Sequence, residues 1–272
     1  MKEGDYTAMP KVSVIIGVFN GAKGIESALA SIKDQTYDDW ECIICDDGST
    51  DSTWEVLQRI TEGDSRFVLL RNSTNRGLAA SLNYSISMAK GEYLARQDAD
   101  DVSYPTRFEE EVAFLEKNEG VSVVGTYAAL FDSSGGDWGI WKTPEHPEKA
   151  DWITMTSIIH PSVMMRKQDI LDVGGYNEKA LRVEDLDLWI KLIGKGRRIA
   201  TLPKVLYNFH WDISDYSRRK LRYRWNELKM KYQAFRTIRL PFYYCVYLLK
   251  PVITGLMPGR LMYLYHLKKF RI

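Results

Sequence analysis

Three carboxylates stand within four residues at Asp98-Ala99-Asp100-Asp101. At that spacing they repel one another. A divalent cation relieves the repulsion and offers its remaining coordination places to phosphate oxygens. The segment therefore suits Mg²⁺ or Mn²⁺ shared with a phosphorylated ligand; a solvated acidic turn is the plain alternative. Asp47, in Asp46-Asp47-Gly48-Ser49, could accept hydrogen bonds from a nucleobase or a ribose. It could equally form a turn, with Asp51 capping the next helix. Glu184-Asp185 precedes an apolar stripe of Leu186, Trp189 and Ile190. In the first turn of a helix the macrodipole keeps a carboxylate ionised, which is the state a general base for a hydroxyl needs. Acids also stand there merely to start helices. His210, in Tyr207-Asn208-Phe209-His210-Trp211, could bind Mn²⁺, donate to phosphate or be structural. His160, before Pro161, reads as structural.

The elements that must position these groups alternate. Val12 to Val18 is a β-branched run, and Ile25, Ala28, Leu29 and Ile32 follow at the spacing of one helix face. Glu41 to Cys45, Phe67 to Leu70 and Glu92 to Ala95 read as further strands. Between them lie helices marked by Trp54, Leu57 and Ile60, and by Leu78, Leu82, Ile86 and Ala89. Strict alternation implies βαβ units and a mostly parallel sheet flanked by helices. A helix with Phe108, Val112 and Leu115 inward comes next, then a strand from Val121 to Thr126. Phe131 to Pro147 reads as a loop excursion, Ser162 to Met165 as a strand, and about Asp185 to Ile193 as a helix. In such a sheet ligands bind beyond the carboxyl ends of the strands. Phe19-Asn20-Gly21, Asp46 to Ser49 and Asp98 to Asp101 each follow a strand, so they gather on one rim.

Other features narrow the chemistry. No G-x-G-x-x-G follows the first strand and no G-x-x-x-x-G-K-[ST] occurs, so a phosphate-cradling glycine loop is excluded. Cys42 and Cys45 are three apart on a strand and face opposite ways, as small core residues do; with Cys245 they make no disulfide framework. Met1 to Lys11 has no apolar run, and no apolar stretch nears the ~20 residues of a membrane span. A cytoplasmic protein is expected.

The net charge of +1 conceals a split. Residues 1–215 carry 23 Lys+Arg against 35 Asp+Glu, a balance of −12; residues 216–272 carry 14 against one, a balance of +13. We read 1–215 as the catalytic domain and 216–272 as a basic, aromatic helical extension. Phe242, Tyr243, Tyr244 and Tyr247, and later Leu261, Leu264 and Tyr265, are mixed with cations and interrupted by Pro251, Gly255 and Pro258. That pattern suits interfacial helices on the anionic inner face of a plasma membrane, or a hairpin packed on the domain. No motif supports nucleic-acid binding.

The residues resemble glycosyltransferase family 2 in VSVIIGVFNGAKGIESALASIKDQTY, ICDDGSTD, NRGLAASLNYSISMAKGEYLARQDADD, HPSVMMRK, VGGYNE and EDLDLW. The order and spacing of these stretches are specific, and they span about Val12 to His210. The resemblance implies a GT-A fold, a nucleoside diphosphate sugar donor, a divalent metal (Mn²⁺ or Mg²⁺) and inverting displacement. It implies that Phe19 and Asn20 line the nucleotide pocket, that Asp47 meets uracil or ribose and that Arg76 lies beside the base. Asp98 then meets ribose or sugar, Asp100 is the principal metal ligand with Asp101 supporting it, and His210 stands near metal and diphosphate. Asp185 is the implied base, with Glu184 and Trp189 as candidates for the acceptor site. Tyr207-Asn208 stands where the family usually has Tyr-Arg. Polymerising members carry Gln-x-x-Arg-Trp and spanning helices; Leu221 leads Arg224-Trp225 here, so a single addition is expected. The stretches HPSVMMRK and ARQDADD are similar to those of members building bacterial surface polysaccharide, which implies a glycan or polyprenyl-linked acceptor. Two other readings compete: a sugar nucleotidyltransferase, which would want the missing glycine loop, and a non-catalytic sugar-nucleotide-binding protein.

Overall fold

The structure is a computed structural model that describes residues 9–133, 136–154, 156–212, 221–250, 253 and 258–270. β1 (Val12–Val18), β2 (Trp40–Asp46), β3 (Phe67–Arg71) and β4 (Tyr93–Arg96) alternate with α1 (Ile25–Lys33), α2 (Thr53–Thr61) and α3 (Leu78–Met88). β5 (Val102–Ser103), α4 (Arg107–Lys117), β6 (Val121–Phe131), β7 (Asp137–Trp141) and α5 (Asp151–Thr154) follow. Then come β8 (Met164–Arg166), α6 (Lys167–Asp172), α7 (Glu184–Gly194) and β9 (Arg198–His210). The sheet order is β3-β2-β1-β4-β8-β6-β9-β5, with β7 on β6. β3, β2, β1 and β4 are parallel; β8 is antiparallel to both its neighbours, and β6 and β9 are again parallel. β1 is followed on one side by β2 and on the other by β4. This reversal opens a crevice beyond the strand ends, where Phe19-Asn20 and Asp98 to Asp101 lie.

Side chains alternate across the central strands into two cores. Ile15, Ile43, Cys45 and Leu94 enter one, and Val14, Ile16, Cys42 and Ile44 the other. The two cysteines thus part, and burial pushes both thiols away from ionisation. Phe108, Val112 and Leu115 are buried as the pattern required.

Three elements differ from expectation. Part of the Phe131 to Pro147 excursion forms β7, antiparallel to an extended β6; Gly139 at its centre weakens its strand signal. β5 is too short to show a period. β9 is a long strand that the sequence pattern did not announce. Pro203 masks it, and the register shows why that proline is tolerated: Leu202 pairs with Thr126 and Val205 with Tyr127, so Pro203 sits in an irregularity of the ladder.

Three C-terminal elements pack on this body: α8 (Leu221–Thr237), a 3₁₀ segment (Phe242–Leu249) and α9 (Gly259–Phe270). Ala234, Ile238 and Leu248 join the core that holds Trp189 and Leu188. Met262 and Phe270 join Leu130 and Trp211. A Cβ on Gly139 would meet the Phe270 carbonyl at 2.7 Å, which shows how closely α9 lies on β7. The boundary drawn between Asp215 and Tyr216, and the Pro251 and Gly255 interruptions, fall outside the described residues. Among the described residues no helix is long and apolar enough to cross a membrane.

Candidate active site

The acidic turn after β4 is held from beneath by two buried arginines. The Arg107 side chain is fully buried and donates to the Arg96 carbonyl at 2.8 Å, to Ser103 Oγ at 2.9 Å and to Gln97 Oε1 at 3.2 Å. Gln97 Nε2 in turn donates to the Asp101 carbonyl at 2.9 Å. Arg96 is 1% exposed and pairs with Asp98 at 2.5 Å. Burial works against the Arg96 charge, but the oxygens of Asp98, Tyr207 and Tyr176 outweigh it and hold its pKa up.

The three carboxylates of the turn have unlike surroundings. Asp98 is tied to Arg96. The Asp100 side chain is 60% exposed and faces His210, with Oδ2 3.8 Å from Nδ1. Asp101 points inward: its Oδ1 accepts the His210 amide hydrogen at 2.7 Å, and its buried Oδ2 accepts no hydrogen bond among the described residues. Burial, then the charges of Asp98 and Asp100, push the Asp101 pKa well up. Asp101 is thus a strap between the turn and the end of β9, and it sets His210 beside Asp100. The other face of the imidazole meets Ser133 Oγ at 3.3 Å and Asp212 at 3.5 Å. A carboxylate behind a histidine fixes the orientation of its ring.

These residues fit a divalent cation. Among the described residues no three His, Cys, Asp or Glu side chains converge to chelate one unaided. One exposed carboxylate and one oriented imidazole are nevertheless a suitable protein share when phosphate oxygens complete the shell. The orphaned Asp101 oxygen and its raised pKa mark a place short of positive charge.

Across the rim Phe19 is 47% exposed. Asn20 takes a left-handed φ of 53°; its amide donates to Ser49 Oγ and its Oδ1 accepts the Thr50 amide hydrogen, each at 2.9 Å. Asp47 lies at 3% exposure and already accepts three hydrogens, from Asn72 Nδ2 at 2.8 Å, Arg76 N at 2.9 Å and Gly77 N at 2.8 Å. The structure gives Asp47 the task of clamping the loop that presents Arg76. Gly48, at φ 72°, lies so close to this loop that a Cβ would meet Thr74 backbone at 2.8 Å.

Asp185 occupies the first turn of α7, with Oδ1 accepting the Leu186 amide hydrogen at 2.7 Å. Burial raises its pKa, the Leu186 amide and Arg96 oppose this, and Glu227 adds to it. Burial and then the Asp185 charge push Glu184 up to about 7. Trp189 is 2% exposed, one turn on, and lies edge-on to His160 at 5.8 Å. His160 hydrogen-bonds the Tyr176 hydroxyl at 2.8 Å; burial and Arg96 keep it neutral. Asp185 and Trp189 line a cavity of 330 Å³. Arg96 acts electrostatically on Glu184 and Asp185 as well as Asp98, so one buried guanidinium joins the acidic turn to α7.

The model of glycosyl transferase family 2 matches residues 13–174, well over half of the chain. The chain belongs to that family. It is 39% identical over 263 residues to EpsE of Bacillus subtilis (strain 168), which bears a provisional glycosyltransferase name. That alignment covers 96% of this chain and 94% of EpsE. It is 28% identical to WfaP of Escherichia coli, named as a UDP-Glc:α-D-GlcNAc-diphosphoundecaprenol β-1,3-glucosyltransferase, over 88% of this chain and 94% of WfaP. The mannosyltransferase PcManGT of Pyrobaculum calidifontis, solved with GDP-Man and Mn²⁺, shares the fold at a TM-score of 0.63 and 19% identity. It is matched over 96% of this chain and 80% of that one. The fold is GT-A, as expected. Within this family 2 site, Arg96, Arg107 and Asp212 escaped the sequence reading. The only signal was an arginine at each of two otherwise apolar positions, at the end of Tyr93-Leu94-Ala95 and before Phe108.

Proposed function

We propose that this family 2 enzyme transfers one sugar from a UDP-linked donor to a hydroxyl of a lipid-linked glycan acceptor, with inversion, in building a cell-surface polysaccharide. The observation that carries the reading is Arg96, the buried cation shared by the acidic turn and the Glu184-Asp185 pair. That shared charge supports a reading in which Asp185 and the acidic turn border one reaction centre. The named acceptor of WfaP supports the lipid link.

Phe19 and Asn20 line the nucleotide pocket, with Arg76 beside the base on the loop that Asp47 clamps. Asp98, fixed by Arg96, meets the ribose or the donor sugar. Asp100 and His210 would hold a divalent cation, Mn²⁺ or Mg²⁺, which would supply Lewis-acid neutralisation of the departing diphosphate. Asp101 and Asp212 orient His210 from either side. Asp185 takes the proton of the acceptor hydroxyl as that oxygen bonds to the anomeric carbon and the bond to the diphosphate breaks. Glu184 and Trp189 border the acceptor. The cavity beside Asp185 takes the acceptor, so that its hydroxyl meets the donor in line. The exposed aromatics of the C-terminal elements rest on an anionic membrane at its cytoplasmic face.

Release of UDP from a panel of UDP-sugars, with Mn²⁺ and an alkyl-diphosphate-linked sugar acceptor, tests this. Asp185→Asn is expected to lose transfer by about 10²–10⁴-fold while binding UDP as before. Near-normal turnover in that variant removes Asp185 from the role.

A further inference from the structure

The cavity beside Asp185 has a second wall to which the transfer chemistry assigns no task. α7 supplies Asp185 and Trp189; the C-terminal elements supply Lys231 from α8, Lys250 after the 3₁₀ segment and Lys269 from α9. Three separate stretches of chain thus bring ammonium groups to one small space. Lys231 is buried and pairs with Glu227 at 3.3 Å. Lys250 and Lys269 are exposed and also line the cavity. The Lys250 ammonium is positioned by donating to the Thr154 carbonyl at 2.7 Å. Desolvation lowers the pKa of Lys250, and the charges of Lys231 and Lys269 lower it further.

Charge counting sharpens the point. Among the described residues the lining holds four cations (Arg182, Lys231, Lys250 and Lys269) and two carboxylates (Asp185 and Glu227). Like charges gathered at a partly desolvated site oppose folding. An anionic ligand of matching charge relieves that repulsion. At 330 Å³ the cavity lies at the small end of ligand pockets, about 300–1,000 Å³. That suits one sugar and its phosphates rather than a long glycan. Trp152, Trp189 and Trp211 supply flat apolar faces for the sugar. Lys250 directly follows the 3₁₀ segment, where Tyr247 and Leu249 are exposed, and Tyr265 is exposed at the cavity itself. An apolar tail leaving the lysines meets these side chains first.

We propose that Lys231, Lys250 and Lys269 form the anion subsite of the acceptor: they bind the diphosphate joining its sugar to an isoprenoid lipid, with the sugar among the tryptophans and its hydroxyl at Asp185. This rests on the transfer reading above, in which Asp185 is the base.

Farnesyl diphosphate carries the anion and an isoprenoid but no sugar, and it is titrated into the full chain with EDTA present, followed by tryptophan fluorescence. Saturable binding is expected. Lys250→Gln with Lys269→Gln should weaken it at least tenfold; Lys250→Arg with Lys269→Arg should retain it, which separates lost charge from lost folding. Farnesol should bind at least tenfold more weakly than the diphosphate. Excess UDP should leave the affinity unchanged. Equal affinity in the wild type and the double glutamine variant overturns the proposal. So does competition by UDP, which would put the probe on the donor side. A glutamine variant that loses sedimentation with phosphatidylglycerol vesicles but keeps farnesyl diphosphate affinity makes the lysines a headgroup contact, which also overturns it. No transfer occurs in this assay, so an error about Asp185 appears elsewhere, as turnover in Asp185→Asn.

Discussion

Glu184 and Asp185 are adjacent, yet their surroundings separate them. Glu184 is pushed up to about 7 by burial and by its neighbour's charge, so near neutrality it holds a proton much of the time. Asp185 is raised too, but the Leu186 amide and Arg96 favour its ionised form. These surroundings suit the proposed roles, in which Asp185 is the carboxylate that takes a proton. The sign of the pH dependence follows. In the proposed mechanism transfer needs ionised Asp185, so the rate is expected to decline as pH falls through a pKa lying above that of an ordinary aspartate. The Glu227 charge contributes to that rise. Glu227→Gln should therefore move the acid limb of the kcat/KM profile to lower pH; a limb that stays in place, or rises, removes Glu227 from the field of the base. The acidic turn offers a second check at this scale. Asp100 is the exposed carboxylate facing His210, whereas Asp98 and Asp101 are committed to Arg96 and to the His210 amide. Asp100→Ala should lower UDP affinity in Mn²⁺ by about tenfold or more, and leave metal-free affinity as it was. Calorimetry with and without EDTA reads this, and unchanged Mn²⁺-dependent binding counts against Asp100 as the ligand.

At the scale of elements, the acidic turn is set by what packs on it. Gly24, just before α1, lies so close to the turn that a Cβ would meet the Asp100 Cα at 2.9 Å and the Ala99 carbonyl at 3.0 Å. Those are backbone atoms, and they cannot swing aside as a flexible side chain does. Gly24→Ala should therefore shift Asp100 against His210. A displacement of about 1 Å at a reacting centre costs on the order of 10²-fold in rate, while the fold, with α1 well buried along Ile25, Leu29 and Ile32, should melt nearly as before. Steady-state kinetics beside thermal unfolding tests this; unchanged kcat would show that the turn adjusts freely. The first four strands were legible because β-branched runs and helix stripes alternate without interruption. β7 and β9 were not, because Gly139 and Pro203 break the local pattern and only pairing with β6 restores it. The same limit applied to the site. Spacing gathered Asp98, Asp100 and Asp101 on one rim but treated them alike. What separates them is Arg96 and the His210 amide, the latter 109 residues away along the chain. Asp47 likewise depends on amides of Arg76 and Gly77, 29 and 30 residues away, a pairing that local spacing does not announce.

At the scale of the molecule, the C-terminal elements have two faces. Inward, Ala234, Ile238, Leu248, Met262 and Phe270 enter the cores of the body, so removing 216–272 would strip packed surface as well as any outer contact. Outward, Phe242, Tyr243 and Val246 are 84%, 69% and 64% exposed on one short 3₁₀ segment. Leu261 and Leu264 are exposed on α9. Cations follow at Lys250, Lys268 and Lys269. Exposed apolar side chains grouped in this way favour transfer into an interface, at roughly 1.5–3 kcal/mol for each large side chain fully buried. Neighbouring cations add an attraction to anionic lipid that salt weakens. Phe242→Ser, Tyr243→Ser and Val246→Ser together disturb none of the inward contacts named above, and they should reduce sedimentation with phosphatidylglycerol vesicles at least tenfold. The wild type should release from the same vesicles as salt is raised, and should bind phosphatidylcholine vesicles less. Transfer to a soluble short-chain acceptor should survive the triple substitution, because the cavity beside Asp185 is lined by none of the three. Equal sedimentation of the variant and the wild type would leave the outward aromatics without a membrane role, and would confine the C-terminal elements to completing the cavity wall.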